Sequence, residues 1–173
     1  MLVKMLGSGL VFFACFIWGM RLQNNLKSRI SNLNDLKKIM TLLRGEILYH
    51  QAELSEALFA VSFRLAEPYS GFCRQMVKKL DEKQSYAFHP IWIDETQKLS
   101  EQIDLKKQDL QDLQSMGENL GYLDKDMQEK QFQLYFARLE EQIQEGKKEY
   151  QKKGKLYPSL GVMSGILFVI IFL

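Results

Sequence analysis

The sequence predicts an all-α protein, a membrane-anchored antiparallel helical bundle of about six helices with one transmembrane helix at each end. Apolar residues recur at spacings of three and four along most of the chain, uncharged apolar runs stand near both ends, and no segment alternates like a strand. We therefore predict a transmembrane helix at residues 1–20, a cytoplasmic helical bundle domain at 21–155 and a second transmembrane helix at 156–173.

The first apolar run, residues 5–20, is uncharged and stands between Lys4 and Arg21. A cleaved signal peptide is one alternative, but the residues before Arg21 form a poor cleavage site. A lipid-modified Cys15 is another, and the preceding Phe12 and Phe13 do not suit such processing. An uncleaved membrane anchor is the favoured interpretation.

The second apolar run, residues 156–173, carries no charged side chain. Its helix would be about 27 Å long, close to the thickness of a bilayer's hydrocarbon core. A tightly buried terminal helix is the alternative. Gly161 and Gly165 form a face that another helix can approach closely, and we predict that they pack membrane helices together.

The charges are segregated along the chain, although the formal net charge is only +2. Residues 21–44 hold six Lys or Arg and one acid, residues 146–155 hold five Lys and one Glu, and residues 45–145 hold 11 bases and 19 acids. Basic residues flank spans on the cytoplasmic side, so the bundle should be cytoplasmic and both termini should lie on the opposite side. The acidic middle argues against nucleic-acid binding.

The apolar spacing places the helices of the bundle in order. A long helix continues from the first membrane segment, and shorter ones follow at about 54–65, 70–82, from Pro90, at 105–120, and from a cap at Asp124 to about residue 157. The first helix carries a stripe at Leu22, Leu26, Ile30, Leu33, Leu36, Met40, Leu43 and Ile47. This stripe predicts the core face of a bundle rather than an intermolecular coiled coil, because its register drifts from a strict heptad.

Residue patterns that support catalysis are missing from the sequence. His50 and His89 are isolated, the two cysteines form no cluster, and no phosphate-binding loop occurs. We therefore predict no catalytic residue, no cofactor, no metal site and no enzyme activity.

The acidic middle favours a basic protein partner. Glu46, Glu53 and Glu56 are the predicted partner-facing patch, and a solvated helix face is the alternative interpretation of these residues.

Several motifs, taken in order, resemble the stage III sporulation protein AB family over essentially the whole chain. They are Leu43-Arg44-Gly45-Glu46-Ile47-Leu48-Tyr49 with Glu56-Ala57-Leu58, Gly117-x-x-Leu120-Gly121-x-x-Asp124 with Met127-Gln128, and Leu156-Tyr157-x-x-Leu160-Gly161-x-x-x-Gly165. One departure is Gln51-Ala52-Glu53-Leu54, where a Pro is expected before the leucine.

The resemblance implies a fold like the cytoplasmic domain of general secretion pathway protein F, a membrane platform of secretion systems. It also implies a non-enzymatic scaffold in the sporulation channel complex between mother cell and forespore. The expected partners are the ATPase stage III sporulation protein AA, other stage III sporulation channel proteins and the lipid bilayer. The expected location is the cell membrane, with two passes and the bundle in the mother-cell cytoplasm. A self-associating membrane-anchored coiled-coil protein, a homo-oligomer, is the alternative.

Overall fold

The computed structural model describes residues 2–82, 88–118, 120, 124–154, 156 and 163, with side chains from residue 17 onward. Within this part of the chain there are six α-helices and no strand, which confirms the all-α prediction. The helices are α1 (Leu2–Leu48), α2 (Leu54–Ser62), α3 (Tyr69–Glu82), α4 (Phe88–Ser100), α5 (Lys107–Met116) and α6 (Lys125–Lys153).

Helix boundaries follow the predicted signals with one clear exception. Asp124 caps α6 as predicted, because its side-chain Oδ1 accepts a hydrogen bond of 2.9 Å from the Met127 N–H. The exception is α5, which ends at Met116 instead of near residue 120. At Gly117 the α-helical hydrogen bond to the residue four positions earlier gives way to a bond three positions back, since the Gly117 N–H donates to the Gln114 carbonyl at 3.1 Å. Gly121, which directly follows the predicted end of this helix, lies outside the described residues.

The chain divides into two compact units, and Ser31–Ile143 is the larger. It contains one apolar core, to which every helix contributes. The α1 side chains in this core include Leu33, Leu36, Met40 and Leu43. The part of the α1 stripe from Leu33 to Leu43 therefore packs inside its own bundle, which favours the bundle over the intermolecular coiled coil. Leu22, at the start of the predicted stripe, is exposed instead.

Two apolar residues whose helical spacing fits the core are not fully buried in it. Met127 is exposed at the start of α6, and Leu110 is only partly buried on α5. Asp109 is the buried residue beside Leu110, since its carboxylate accepts a hydrogen bond of 2.9 Å from the Lys106 N–H at the start of the helix. At the start of α5, the polar capping residue Asp109 is therefore buried more fully than the apolar Leu110.

Within Ser31–Ile143, α1 and α6 run antiparallel. Lys37 pairs with Glu140 at 2.6 Å, and Arg44 pairs with Glu129 at 2.8 Å, so residue numbers rise along one helix as they fall along the other. The Arg44 guanidinium also lies 6.0 Å from the centre of the Phe136 ring.

Helices α2 and α3 form an antiparallel hairpin. The buried Ser70 hydroxyl donates to the Ser62 carbonyl at 2.9 Å near the turn, and the Ser55 hydroxyl donates to Asp81 at 3.1 Å at the far end. α3 and α4 are joined by ion pairs of Lys79 with the α4 carboxylates. The two serine hydrogen bonds fix the inner side of α2 against α3.

The Trp92 side chain joins three helices at the centre of the bundle. It is fully buried on α4, and its ring meets Phe72 of α3 edge to face, with centroids 5.7 Å apart. Its indole N–H donates to the Leu113 carbonyl of α5 at 2.8 Å. Gly117 lies directly against this ring, because a Cβ atom built there would be 2.1 Å from Trp92 Cδ1. A side chain at position 117 would displace the indole.

The smaller unit comprises Met1–Ile30 and Gln144–Leu173. In it, the buried Arg29 pairs with Glu145 at 3.3 Å, and α1 exposes apolar side chains at Ile17, Trp18 and Met20. Among the described residues, no helix has the length and hydropathy needed to cross a membrane. The limits of the three predicted regions, 1–20, 21–155 and 156–173, stay predictions.

Gly117→Ala is predicted to destabilise the protein by about 2–3 kcal/mol, because the new methyl group overpacks the Trp92 pocket. The matched control is Gly45→Ala in α1, where a Cβ atom meets nothing within 4 Å. The control should gain about 0.5–1 kcal/mol, since Ala favours a helix over Gly. Urea unfolding followed by circular dichroism measures both, and equal effects would contradict the close packing at Gly117.

Stability should also depend on pH through Asp94. Hydrogen bonds from Lys79 and Lys98 lower the pKa of Asp94 from 3.8 to about 2. A carboxylate with a lowered folded-state pKa stabilises the fold above its ordinary pKa, and this contribution is lost as the pH falls toward the lowered pKa. The stability difference between wild type and Asp94→Asn should be constant above about pH 5 and should shrink below the ordinary pKa. A difference that persists unchanged in strong acid would show that charge is not its cause.

Candidate functional site

The corner between α1 and α2 is held by backbone hydrogen bonds. The Tyr49 N–H donates to the Gly45 carbonyl at 3.1 Å, and the Ala52 N–H donates to the Glu46 carbonyl at 3.1 Å. Gln51 has a φ of 53°, a left-handed conformation that residues other than glycine rarely adopt. The corner therefore fixes where α2 begins, at Leu54.

The three predicted partner-facing glutamates lie in two different environments. Glu46 is buried, with 10% of its side chain exposed, and its carboxylate lies 3.0 Å from His50 Nδ1 and 3.5 Å from Arg64 Nη1. The pair with Arg64 ties the end of α1 to the chain just after α2. Glu46 thus faces its own chain, whereas Glu53 and Glu56 are exposed.

Glu53 and Glu56 occupy the amino-terminal turn of α2. Glu53 is the N-cap residue and makes no side-chain capping bond, and Glu56 lies in the first turn. Neither carboxylate has a hydrogen-bonding or ionic partner among the residues the structure describes. Their negative charge favours the positive end of the helix dipole, so the pair also supports α2 itself.

Two aromatic rings continue the exposed side of α2. Phe59 is 51% exposed and Phe63 is 73% exposed, and their rings meet edge to face with centroids 4.8 Å apart. Glu53, Glu56, Phe59 and Phe63 follow one another at helical spacing, and together we call them the α2 outer face. The opposite side of the helix is buried through Ala57, Leu58, Val61 and Ser62.

The sequence analysis did not assign Phe59 or Phe63 a role. The signal was nevertheless present, because both residues fall outside the inward-facing set at 54, 57, 58, 61 and 65. Two phenylalanines four positions apart on the polar side of an amphipathic helix are typical of an interaction surface. The sequence analysis predicted an acidic patch from the carboxylates alone. The structure places Glu53 and Glu56 beside an exposed pair of aromatic rings.

Two surface depressions accompany these elements. One of about 440 Å³ lies at the corner, lined by Ile47, Leu48, Gln51, Ala52, Glu53, Leu54, Lys125 and Gln128. The other, of about 280 Å³, lies between α3 and α4. Three of the charges that line the second depression pair with one another, since Glu95 is held by both Lys79 and Lys98. They are arranged to join two helices.

The described residues offer little that could bind a metal ion or act as a reactive thiol. No group of three or more His, Cys, Asp or Glu side chains there is arranged to hold a metal ion. Cys73 is free and buried, and burial raises the pKa of its thiol to about 12, which keeps it protonated and unreactive. The side chain of Cys15 lies outside the described residues.

The family model described as stage III sporulation protein AB matches residues 4–173. The chain belongs to the stage III sporulation protein AB family. The resemblance drawn from the ordered motifs is thereby confirmed, and the match includes the α1–α2 corner and the α2 outer face.

Two relatives in the family support the assignment. Stage III sporulation protein AB of Bacillus subtilis (strain 168) is 26% identical over 172 residues, which are 99% of this chain and 100% of the relative. A solved structure of stage III sporulation protein AB is similar with a TM-score of 0.65 and 26% identity, covering 71% of this chain and 96% of the solved one. The sequence and the fold therefore point to the same family.

The two sets of predicted site residues stay predictions. Gly161 and Gly165 lie outside the described residues, and the partner-facing role of Glu46, Glu53 and Glu56 is untested. The positions of the glutamates do show which substitutions will disturb the fold.

Glu46→Lys is predicted to destabilise the protein by about 1–3 kcal/mol, because it places a second cation beside Arg64 in a buried position. Glu56→Lys is the matched control, since it makes the same change on the exposed side of α2. It should cost less than about 1 kcal/mol, through the helix dipole alone. Thermal unfolding of both variants measures the difference. A stable Glu46→Lys protein would show that the ion pair with Arg64 contributes nothing.

Proposed function

We propose that this protein is a non-enzymatic membrane platform of the sporulation channel complex between mother cell and forespore. In this role it couples the ATPase stage III sporulation protein AA, in the mother-cell cytoplasm, to other channel proteins in the membrane. The observation that carries the proposal is the family match over residues 4–173, which spans the bundle and both predicted membrane segments.

The membrane part of the proposal rests on sequence and on exposure. Basic residues concentrate in 21–44 and 146–155, next to the two uncharged runs. Ile17, Trp18, Met20 and Leu22 are exposed along α1, and Trp18 is 69% exposed. A lipid environment would cover such side chains, and tryptophan suits the interface between hydrocarbon and headgroups.

The platform role is supported by how the bundle uses its polar residues. Buried charges such as Glu46, Glu95 and Arg29 are held by partners on other helices or turns, so they join elements of the fold. The exposed features of α2 are instead suited to contact with another protein. The resemblance to the cytoplasmic domain of general secretion pathway protein F agrees with a helical module that connects a motor to a membrane assembly.

Copurification from sporulating cells tests the coupling role. Full-length tagged protein, extracted in mild detergent, should retain stage III sporulation protein AA, and deletion of the gene should block the formation of heat-resistant spores. A strain producing the untagged protein provides the background for the purification. Normal sporulation without the gene would contradict the proposed function.

The proposed topology has a separate test. A reporter that is active only in the cytoplasm should be inactive when fused after Leu173 and active when inserted in the 101–106 turn between α4 and α5. The two fusions differ only in position, so each controls for expression of the other. An active reporter after Leu173 would contradict the placement of the carboxy terminus.

A further inference from the structure

We propose that the α2 outer face is a docking site for a basic amphipathic helix of another protein. This inference rests on the proposed function, because it names the chemistry of a partner that a platform would bind. It is carried by the exposed aromatic pair and by the two carboxylates beside it, which have no partner among the described residues.

The aromatic pair supplies the apolar part of the site. Phe59 and Phe63 keep 51% and 73% of their surface exposed although the opposite side of the same short helix is buried. The two rings contact each other edge to face and so form one continuous apolar patch. Covering these rings would remove apolar surface from water, so the pair can anchor a partner side chain.

The carboxylates supply the charged part of the site. Glu53 and Glu56 stand one turn before the rings and have no partner among the described residues. Arg64, which follows Phe63 in the chain, is engaged by the buried Glu46 at 3.5 Å. Arg64 thus lies at the aromatic end of the face and is already paired, while Lys125 lines the corner depression together with Glu53 at the other end. The α2 outer face is therefore left apolar at one end and negative at the other.

The dimensions of the face suit a helical partner. Residues 53 to 63 cover about 15 Å along the α2 axis, at the helical rise of about 1.5 Å per residue. This length corresponds to about three turns of a partner helix. Apolar residues at one end of that helix would cover Phe59 and Phe63, and Lys or Arg one or two turns away would reach Glu53 and Glu56. Arginine could also stack on a phenylalanine ring.

The charges favour this occupant over the other candidates. An anionic lipid surface or a nucleic acid would be repelled by the two carboxylates. Two copies of this chain meeting through the same face would place four carboxylates in one interface, and the four residues of the face supply no base to pair with them. A basic helix from a different protein is the partner that satisfies both the aromatic and the acidic parts.

Photo-crosslinking in sporulating cells tests the partner's identity. The photoreactive residue p-benzoylphenylalanine replaces Phe63 in the full-length protein, and the matched control carries it in place of Leu134, which is 52% exposed on α6. We expect position 63 to attach to another protein, at a segment rich in Lys or Arg with an apolar helical face. Attachment to lipid, to a second copy of this chain or to an acidic segment would overturn the proposal, as would a yield no greater than at position 134.

Charge removal tests the role of the glutamates in the same assay. Glu53→Gln combined with Glu56→Gln should lower the cross-linking yield about three- to tenfold, since exposed ion pairs contribute modestly and add together. Glu101→Gln combined with Glu118→Gln removes two exposed carboxylates elsewhere on the bundle and should leave the yield unchanged. Equal yields from the two double variants would overturn the acidic part of the site.

A spore count separates failure of this inference from failure of the proposed function. Phe59→Ser combined with Phe63→Ser should reduce heat-resistant spores at least about tenfold, as expected when a binding anchor is lost. Leu134→Ser should not reduce them, and circular dichroism of both variants should match wild type because the changed side chains are exposed. If gene deletion blocks sporulation but the double serine variant sporulates normally, the inference fails and the platform function stands.

Discussion

The packing of Trp92 against Gly117 is the constraint on which the bundle depends. The indole is fully buried, contacts α3 through Phe72 and hydrogen-bonds to α5 through the Leu113 carbonyl. The absence of a side chain at Gly117 lets α5 end against the ring. Because α2 packs on α3, the position of the α2 outer face follows from this central contact through one intervening helix.

The two sides of α2 show how a short helix can serve stability and recognition together. Its inner side is fixed by apolar burial and by the hydrogen bond from Ser70 to the Ser62 carbonyl. Its ends are fixed by the strained corner at Gln51 and by the ion pair of Glu46 with Arg64. The outer side is therefore presented in a defined orientation without contributing to the core, which is what a binding surface on a scaffold requires.

The sequence allowed the fold class and most helices to be predicted because burial follows helical spacing. Leu33, Leu36, Met40 and Leu43 show this in α1, and Asp124 shows that a cap can be recognised from the residue type and its position. The early end of α5 was not predictable, because it depends on a contact between Gly117 and Trp92, which is distant in sequence. Met127 shows a second limit, since its spacing fits the core but its turn lies at the exposed start of α6.

The same limit applies to the candidate site. Glu46, Glu53 and Glu56 could be selected as acids near a helix boundary, but only the structure shows that Arg64 engages the first and that the other two adjoin an aromatic pair. Hydroxyl-radical footprinting of the full-length protein, in membranes of sporulating cells and after purification, tests the central claim that this pair is a covered binding surface. The account predicts that Phe59 and Phe63 are several-fold less oxidised in the assembled state, while Met127 and Leu134, which are 51% and 52% exposed, are unchanged. Equal oxidation of the phenylalanines in both states would contradict it.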